Sequence, residues 1–476
     1  MAAIITEKFK LHNASQFEES FTESSNNVYY LFIGKSTPFT SGTSGGSDAS
    51  PPTPVDGPTD EFFSWDDMLA AKNISSTNIQ RVVPRRNWEN GTVYDMYRPD
   101  YSSSVTTTSG ASNLYDSTFY FLTSDYRAYK VLDNNSGAAY SGTEPSSTTT
   151  SPFSQGGYVL QYIYTLTAGQ ISTFLTADFM PVSTDSTVST AAVDGSIDSL
   201  IITAGSGYTN GTYYAAIYGD GASSGTASGG IVRITVANNA IADFGLTAGT
   251  DTIVSASGSG YTFGTVNLAA GYTFSDVGLT TTSNIGGSGG EIVVVASPKG
   301  GHGFDAPSEL GGHYVMLSTT LTAAEGDDVT TENDFRKLGI IVDPYAYGTS
   351  SVASISTARM TFALKLTSQA GTFDGDEKIS QATTGAIGKV VEWDSSNSIL
   401  YYSQERFGDY GTNGTTGGYV AFSGANVVTG ATSGAVGTPD ASADSAVTLT
   451  GGNTITFTDG YANPELQPDS GNIIYL

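Results

Sequence analysis

Two phrases occur twice in this chain, and they constrain its fold more than any other feature. Ala204–Thr212 reads AGSGYTNGT and returns at Ser257–Thr265 as SGSGYTFGT. ATTGAIG, within Gly375–Gly388, returns as ATSGAVG within Gly424–Gly437. In the first pair each copy is flanked by short apolar runs, Ile197–Thr203 with Tyr213–Tyr218 and Ile253–Ser255 with Val266–Ala269. Between them Ile231–Val236 alternates, and Asn238-Asn239 supplies a turn. Both pairs predict small β-ribbon modules with glycines at positive φ in turns or bulges. Core-like sequence resumes after each pair, at Glu291–Ser297 and Phe335–Pro344 and again near the C-terminus. That is the pattern of insertion at surface loops, where added chain costs little. The expected fold is mainly β: a multi-domain, β-sandwich-like core with a few short helices and two inserted β-repeat modules. The expected core is 1–190, 291–368 and 446–476; the modules are 191–290 and 369–445.

The core needs material, and the aromatics supply it. The 476 residues include 28 Tyr and 22 Phe beside 57 Gly. Buried rings stabilise at roughly 25 cal/mol per Å² of apolar surface. The balance of 19 basic and 46 acidic side chains gives a formal charge of −27. Such a surface repels nucleic acid and anionic membranes, so neither is an expected partner. The chain has no cysteine, which excludes disulfides, thiolate catalysis and Cys-based zinc sites. The N-terminal sequence does not read as a signal peptide, and no run reaches the ~20 apolar residues of a membrane span. Synthesis and assembly in a host cytoplasm are expected.

Local signals place the elements. Ser15-Gln16-Phe17-Glu18 has capping-box form and predicts a helix over 14–23. Val28–Gly34 reads as a strand. Ser64 is expected to cap a short helix carrying Trp65, Met68 and Leu69. Phe119–Leu122 and Ala128–Leu132 read as a hairpin. Tyr158–Thr165 alternates with period two and predicts a half-buried strand. Thr167 and Gln170 form a second capping box.

The densest segment is Val82–Ser103, VVPRRNWENGTVYDMYRPDYSS. Arg85 and Arg86 offer guanidinium forks suited to carboxylates, and Trp88 brings a large apolar area with one N–H donor. In so acidic a protein the cluster reads as a docking point for carboxylates of this chain or a neighbour. The other reading is a packed loop bracing the subunit itself. PRRNW followed by a Tyr/Pro-rich run resembles the gene product eight family, the baseplate wedge subunits of T4-like contractile-tailed phages. More segments agree in order: ITEKF at Ile5–Phe9, YYLFIGKSTPF at Tyr29–Phe39, WDDM at Trp65–Met68, GYVLQYIYTL at Gly157–Leu166, KGGHGF at Lys299–Phe304 and SGNIIY at Ser470–Tyr475. The inserted stretches resemble modules of marine T4-like phage structural proteins. The resemblance implies a non-enzymatic virion protein of the tail baseplate wedge. It would be a homodimer within each wedge, bind other wedge proteins and need no cofactor. Interface residues would then be Arg85, Arg86, Trp88, Tyr94 and Arg98, since interface anchors are enriched in Arg and aromatic side chains.

Motifs for chemistry are sparse. His302 and His313 lie in glycine-rich turns without the spacing of a zinc motif, and read as structural. The acidic run Glu325–Asp334 lacks the alternation of a calcium loop and reads as solvated. Asp374-Gly375-Asp376 reads as a turn. The alternative class is a β-rich glycan-binding or glycan-cleaving tail spike or adhesin, with paired carboxylates drawn from the many acids.

Overall fold

A computed structural model of the protein describes residues 6–23, 27–39, 46–53, 55, 57–219, 228–268, 273–276, 279–282, 285–321, 335–406, 412–413, 418–442, 444–449 and 452–475. The fold is mainly β, in several antiparallel sheets with short helices. It forms two compact units, each assembled from two stretches: Met1–Glu19 with Ile79–Ser318, and Ser20–Asn78 with Thr319–Leu476.

In the first unit, Tyr120–Leu122 pairs with Arg127–Asp133, the predicted hairpin, and Tyr158–Thr165 and Phe153–Gln155 extend the sheet. Tyr158–Thr165 is not half-buried as its alternation predicts: every residue but Thr165 is buried. The reason is that apolar clusters cover both faces, one built on Tyr94, Phe121, Tyr129 and Tyr140, the other on Phe119, Tyr120, Ile163 and Tyr164. Thr167 and Gln170 do form the capping box of helix Ala168–Phe174. A three-stranded sheet places Ile79–Pro84 between Tyr314–Leu317 and Phe179–Pro181.

The first repeat folds as one seven-stranded sheet. Its six longer-range partners run in the order Ile253–Ser259, Ser228–Ala237, Gly211–Gly219, Gly264–Val266, Gly286–Ala296, Ile197–Tyr208. Each copy supplies three strands, and the first strand of each pairs with the third strand of the other. The arrangement has an internal two-fold character down to single residues. Ala204 faces Gly290 and Ser206 faces Ser288; in the other half Ser257 faces Gly230 and Ser259 faces Ser228. Gly205 and Gly258 have φ of 61° and 62°, and Gly207 and Gly260 have 75° and 76°. These glycines lie in and at the ends of strands, so the positive φ serves irregular pairing more than turns. Tyr208 accepts a hydrogen bond from Gly290 N–H at 2.9 Å, and Tyr261 accepts one from Gly230 N–H at 3.2 Å.

In the second unit a five-stranded sheet runs Thr357–Arg359, Met68–Ile74, Tyr29–Gly34, Lys337–Val342, Asn472–Tyr475. Tyr29–Gly34 is central and wholly buried. The second repeat belongs to a closed ring of six strands: Phe362–Ala370, Ile399–Ser403, Ala386–Asp394, Lys378–Gln381, Val428–Gly430, Val436–Pro439, and back to Phe362–Ala370. Closure leaves no free sheet edge there and encloses Leu364, Ile379, Val390, Leu400 and Phe422. The two repeated phrases form its adjacent hairpins, with Gly385 and Gly434 at φ 77° and 67° in the turns. Buried Glu377 clasps the second turn, accepting from Thr432 N–H and Ser433 N–H, both at 2.9 Å.

Two helices differ from expectation. The first spans Glu7–Ser20, because the Thr6 hydroxyl accepts from Phe9 N–H and caps the chain earlier. Ser15–Glu18 therefore lies inside a helix already begun. The second spans Pro58–Asp66, with proline fixing the first turn. Ser64 is interior, its hydroxyl donating to Asp60 O at 2.9 Å, and Met68 and Leu69 belong to the strand Met68–Ile74.

Candidate functional site

The strand Ile79–Pro84 delivers the Arg/Trp stretch onto the first unit. Arg85 donates to Asn87 Oδ1 and Thr176 O, both at 2.8 Å. Arg86 donates to Tyr115 O and Asp116 O, both at 3.2 Å, and its guanidinium lies 4.4 Å over the Tyr120 ring. Among the described residues neither arginine is ion-paired with a carboxylate, so the expected bidentate partners within the chain are replaced by neutral oxygens and a ring face. Trp88 meets Tyr140 edge-on at 5.7 Å, and its backbone N–H donates to Leu122 O. The buried indole N–H has no acceptor among the described residues. Tyr94 is buried, with burial raising its phenol to about 12, and its hydroxyl accepts from Glu89 N–H at 2.6 Å. Arg98 alone holds a carboxylate, gripping Asp100 at 2.8 and 2.7 Å. Arg85, Arg86, Trp88 and Arg98 are half-buried, and the packing divides: Arg86 lies on the Tyr120 cluster, while Trp88 and Tyr94 belong to the cluster on the other face of the sheet.

Residues 3–152 match the family model described as Bacteriophage T4, Gp8. The matched stretch contains the whole Arg/Trp segment and ends before both repeats. No curated protein matches the chain.

Sequence reading passed over a buried charged cluster that joins Lys130, inside the matched stretch, to His302 and Glu309, outside it. Lys130, at the centre of the strand Arg127–Asp133, is fully buried. Its Nζ donates to Glu309 Oε1, sits 2.6 Å from His302 Nδ1 and lies 3.4 Å from the centre of the Tyr97 ring. His302 Nδ1 is 3.3 Å from Glu309 Oε1, and its Nε2 is 3.9 Å from Asp198 Oδ2. Gly303 N–H donates to Glu309 Oε2 at 2.6 Å. Burial lowers Lys130 to about 8, and burial beside Lys130 lowers His302 as well, favouring the neutral ring. Burial works against the Glu309 carboxylate too, but Lys130 and His302 hold it down at about 2. The signal in the sequence was a lone lysine in an apolar run, Tyr129-Lys130-Val131-Leu132. An unpaired charge there is too costly to bury.

His313 has a separate place, its Nδ1–H donating to Gly311 O at 2.9 Å, with Glu7 3.9 Å away. Among the described residues no group of three or more His, Asp or Glu side chains is placed to hold a metal ion. Asp374 and Asp376 flank a turn, Asp374 N–H bonding Glu377 and Asp376 pairing with Lys389. Glu325–Asp334 lies outside the described residues. A cleft of about 640 Å³ in the first unit is lined by Tyr97, Asp100, Asp194, Phe263 and Lys299 among others. Both its carboxylates are engaged, Asp100 by Arg98 and Asp194 by Gly300 N–H at 2.6 Å.

Proposed function

We propose that the protein is a structural, non-catalytic component of a contractile phage tail baseplate wedge. The match of residues 3–152 to Gp8 carries this reading and supports a structural role in a phage baseplate. In it the chain forms a homodimer within the wedge and contacts other wedge proteins inside the virion. The stretches 191–290 and 369–445 are insertions that decorate this scaffold. The contact surface includes Arg85, Arg86, Trp88, Tyr94 and Arg98. Arg85 is the strongest candidate to reach a partner: half-buried, held by neutral oxygens, it keeps an uncompensated charge for a neighbour's carboxylate. The other four fix the shape of that surface through the packing described above.

The test is mass spectrometry of purified phage particles with the copy number of this chain, followed by Arg85→Glu. The chain is expected among tail proteins at a fixed ratio, and R85E is expected to fold normally yet fail to enter assembled wedges. Absence from tail fractions overturns the reading. R85E assembling like the parent chain removes Arg85 from the interface.

A further inference from the structure

Asp198, His302, Lys130 and Glu309 supply, in one place, what an acyl transfer requires. Lys130 is a nucleophile, His302 a base touching it, and Asp198 a carboxylate behind the base. Glu309 offers an acyl carbon, with Gly303 N–H already on one carboxyl oxygen. The reacting groups and their base are closed to outside molecules: Lys130, His302 and Glu309 are 0%, 7% and 6% exposed. The electrophile for Lys130 must therefore be the one it already touches.

We propose that Lys130 and Glu309 condense into an amide, an internal crosslink between the strand Arg127–Asp133 and the short helix Ala306–Glu309. At rest the two form an ion pair. His302 Nδ1 lies within reach of both groups, 2.6 Å from Nζ and 3.3 Å from Oε1. It carries one proton from the ammonium to the carboxylate, leaving an amine beside a carboxylic acid. The amine lone pair attacks Glu309 Cδ, and the bond from Cδ to the protonated oxygen breaks. His302 takes a second proton from nitrogen and delivers it to the departing hydroxyl. One C–N bond forms, one C–O bond breaks, and one water leaves; no oxidant, reductant or cofactor enters. The low-dielectric surroundings favour the product, because two buried charges become one neutral amide that keeps hydrogen-bonding groups for His302 and Gly303. Lys130 lowered to about 8 makes the free amine accessible near neutrality. The linked residues are 179 positions apart, so the bond encloses the whole first repeat. In a chain without cysteine it constrains the unfolded ensemble as a disulfide over a long loop does.

The test is the intact mass of the folded full-length chain, measured after denaturation, with peptide mapping of a tryptic digest. A mass lower by one water is expected, with Lys130 uncleaved and its peptide joined to the one containing Glu309. The variant K130R is expected at its full sequence mass. H302A, which keeps both reacting groups, is expected to crosslink several-fold more slowly or not at all. A full sequence mass for the folded parent protein after prolonged incubation at pH 8 overturns the proposal. So does a water loss that persists in K130R, which places the event elsewhere.

Discussion

At the scale of single residues, buried charges such as Lys130 and Arg86 meet a partner or a ring face, whereas the Asp133 carboxylate is poorly compensated. Asp133 is buried with a single donor among the described residues, Asn135 N–H at 2.8 Å, and with Asp243 as the neighbouring charge. Burial pushes its carboxyl up to about 7. A carboxyl raised on folding contributes stability that is full below its unfolded pKa and lost as pH rises through the folded one. Asp133→Asn keeps the acceptor and removes the charge. It should match the parent near pH 4 and exceed it increasingly up to about pH 7. At pH 8 the gain should be on the order of 2 kcal/mol, below the full 1.36 kcal/mol per pK unit. Urea unfolding at the two pH values checks this; equal stability of variant and parent at pH 8 contradicts it. Arg86→Lys tests the opposite case. The lysine cannot spread over the Tyr120 ring while reaching Tyr115 O and Asp116 O, so a loss of roughly 1–2 kcal/mol is expected in the same assay.

At the scale of elements, the repeats show both how far sequence reaches and where it stops. The GSGY phrases, their flanking strands and their positive-φ glycines were legible, because each is dictated by local backbone sterics. The exchange of partners between copies was not, because strand pairing depends on contacts that no local pattern encodes. The Thr6 cap was missed for a related reason: Ser15–Glu18 carries a stronger motif but arrives after the helix has begun. Lys130 was hidden because a single charge does not disturb an apolar run, and its partners His302 and Glu309 lie far along the chain. The equivalence of the copies yields a coupled prediction. A Cβ at Gly290 would stand 2.4 Å from the Tyr208 hydroxyl oxygen. Gly290→Ala should therefore cost roughly 1–3 kcal/mol by overpacking. Tyr208→Phe should cost about 1 kcal/mol for the lost hydrogen bond. Removing the oxygen also removes the tightest contact, leaving Tyr208 Cζ and Ile241 Cδ1 at 2.9 Å, so the double variant should be more stable than the sum of the two single losses implies. Strict additivity in a double-mutant cycle contradicts the arrangement. The same cycle at Gly230 and Tyr261, where the approach is 3.0 Å, should show a smaller coupling.

At the scale of the whole molecule, the charge of −27 and the buried carboxyls act in one direction over the neutral range. Glu405 in the second unit is pushed up to about 7, first by burial and then by the Asp67 carboxylate, with Lys35 and Lys389 offsetting only part. Its folded pKa, like that of Asp133, lies above its unfolded value. Stability held by these groups is therefore lost as pH rises through about 7 and recovered on acidification. Asp95 and Glu377 have the reverse sign. Burial opposes their ionised forms, but hydrogen bonds from Ser109 and Thr118 on the first and Ser433 and Thr432 on the second hold their pKa values down. Their contribution disappears only as pH falls below the ordinary carboxylate range. The melting temperature should thus rise from pH 8 to about pH 5 and fall below about pH 4. Long-range repulsion among surface acids predicts the same upper slope, and salt separates the two causes. Added NaCl screens exposed charges beyond about 10 Å at 0.1 M and leaves buried groups nearly untouched. A slope that survives high salt in the parent chain and flattens in the double variant D133N/E405Q assigns it to these two carboxyls. A slope abolished by salt, and unchanged in the double variant, assigns it to net charge and removes both residues from the account.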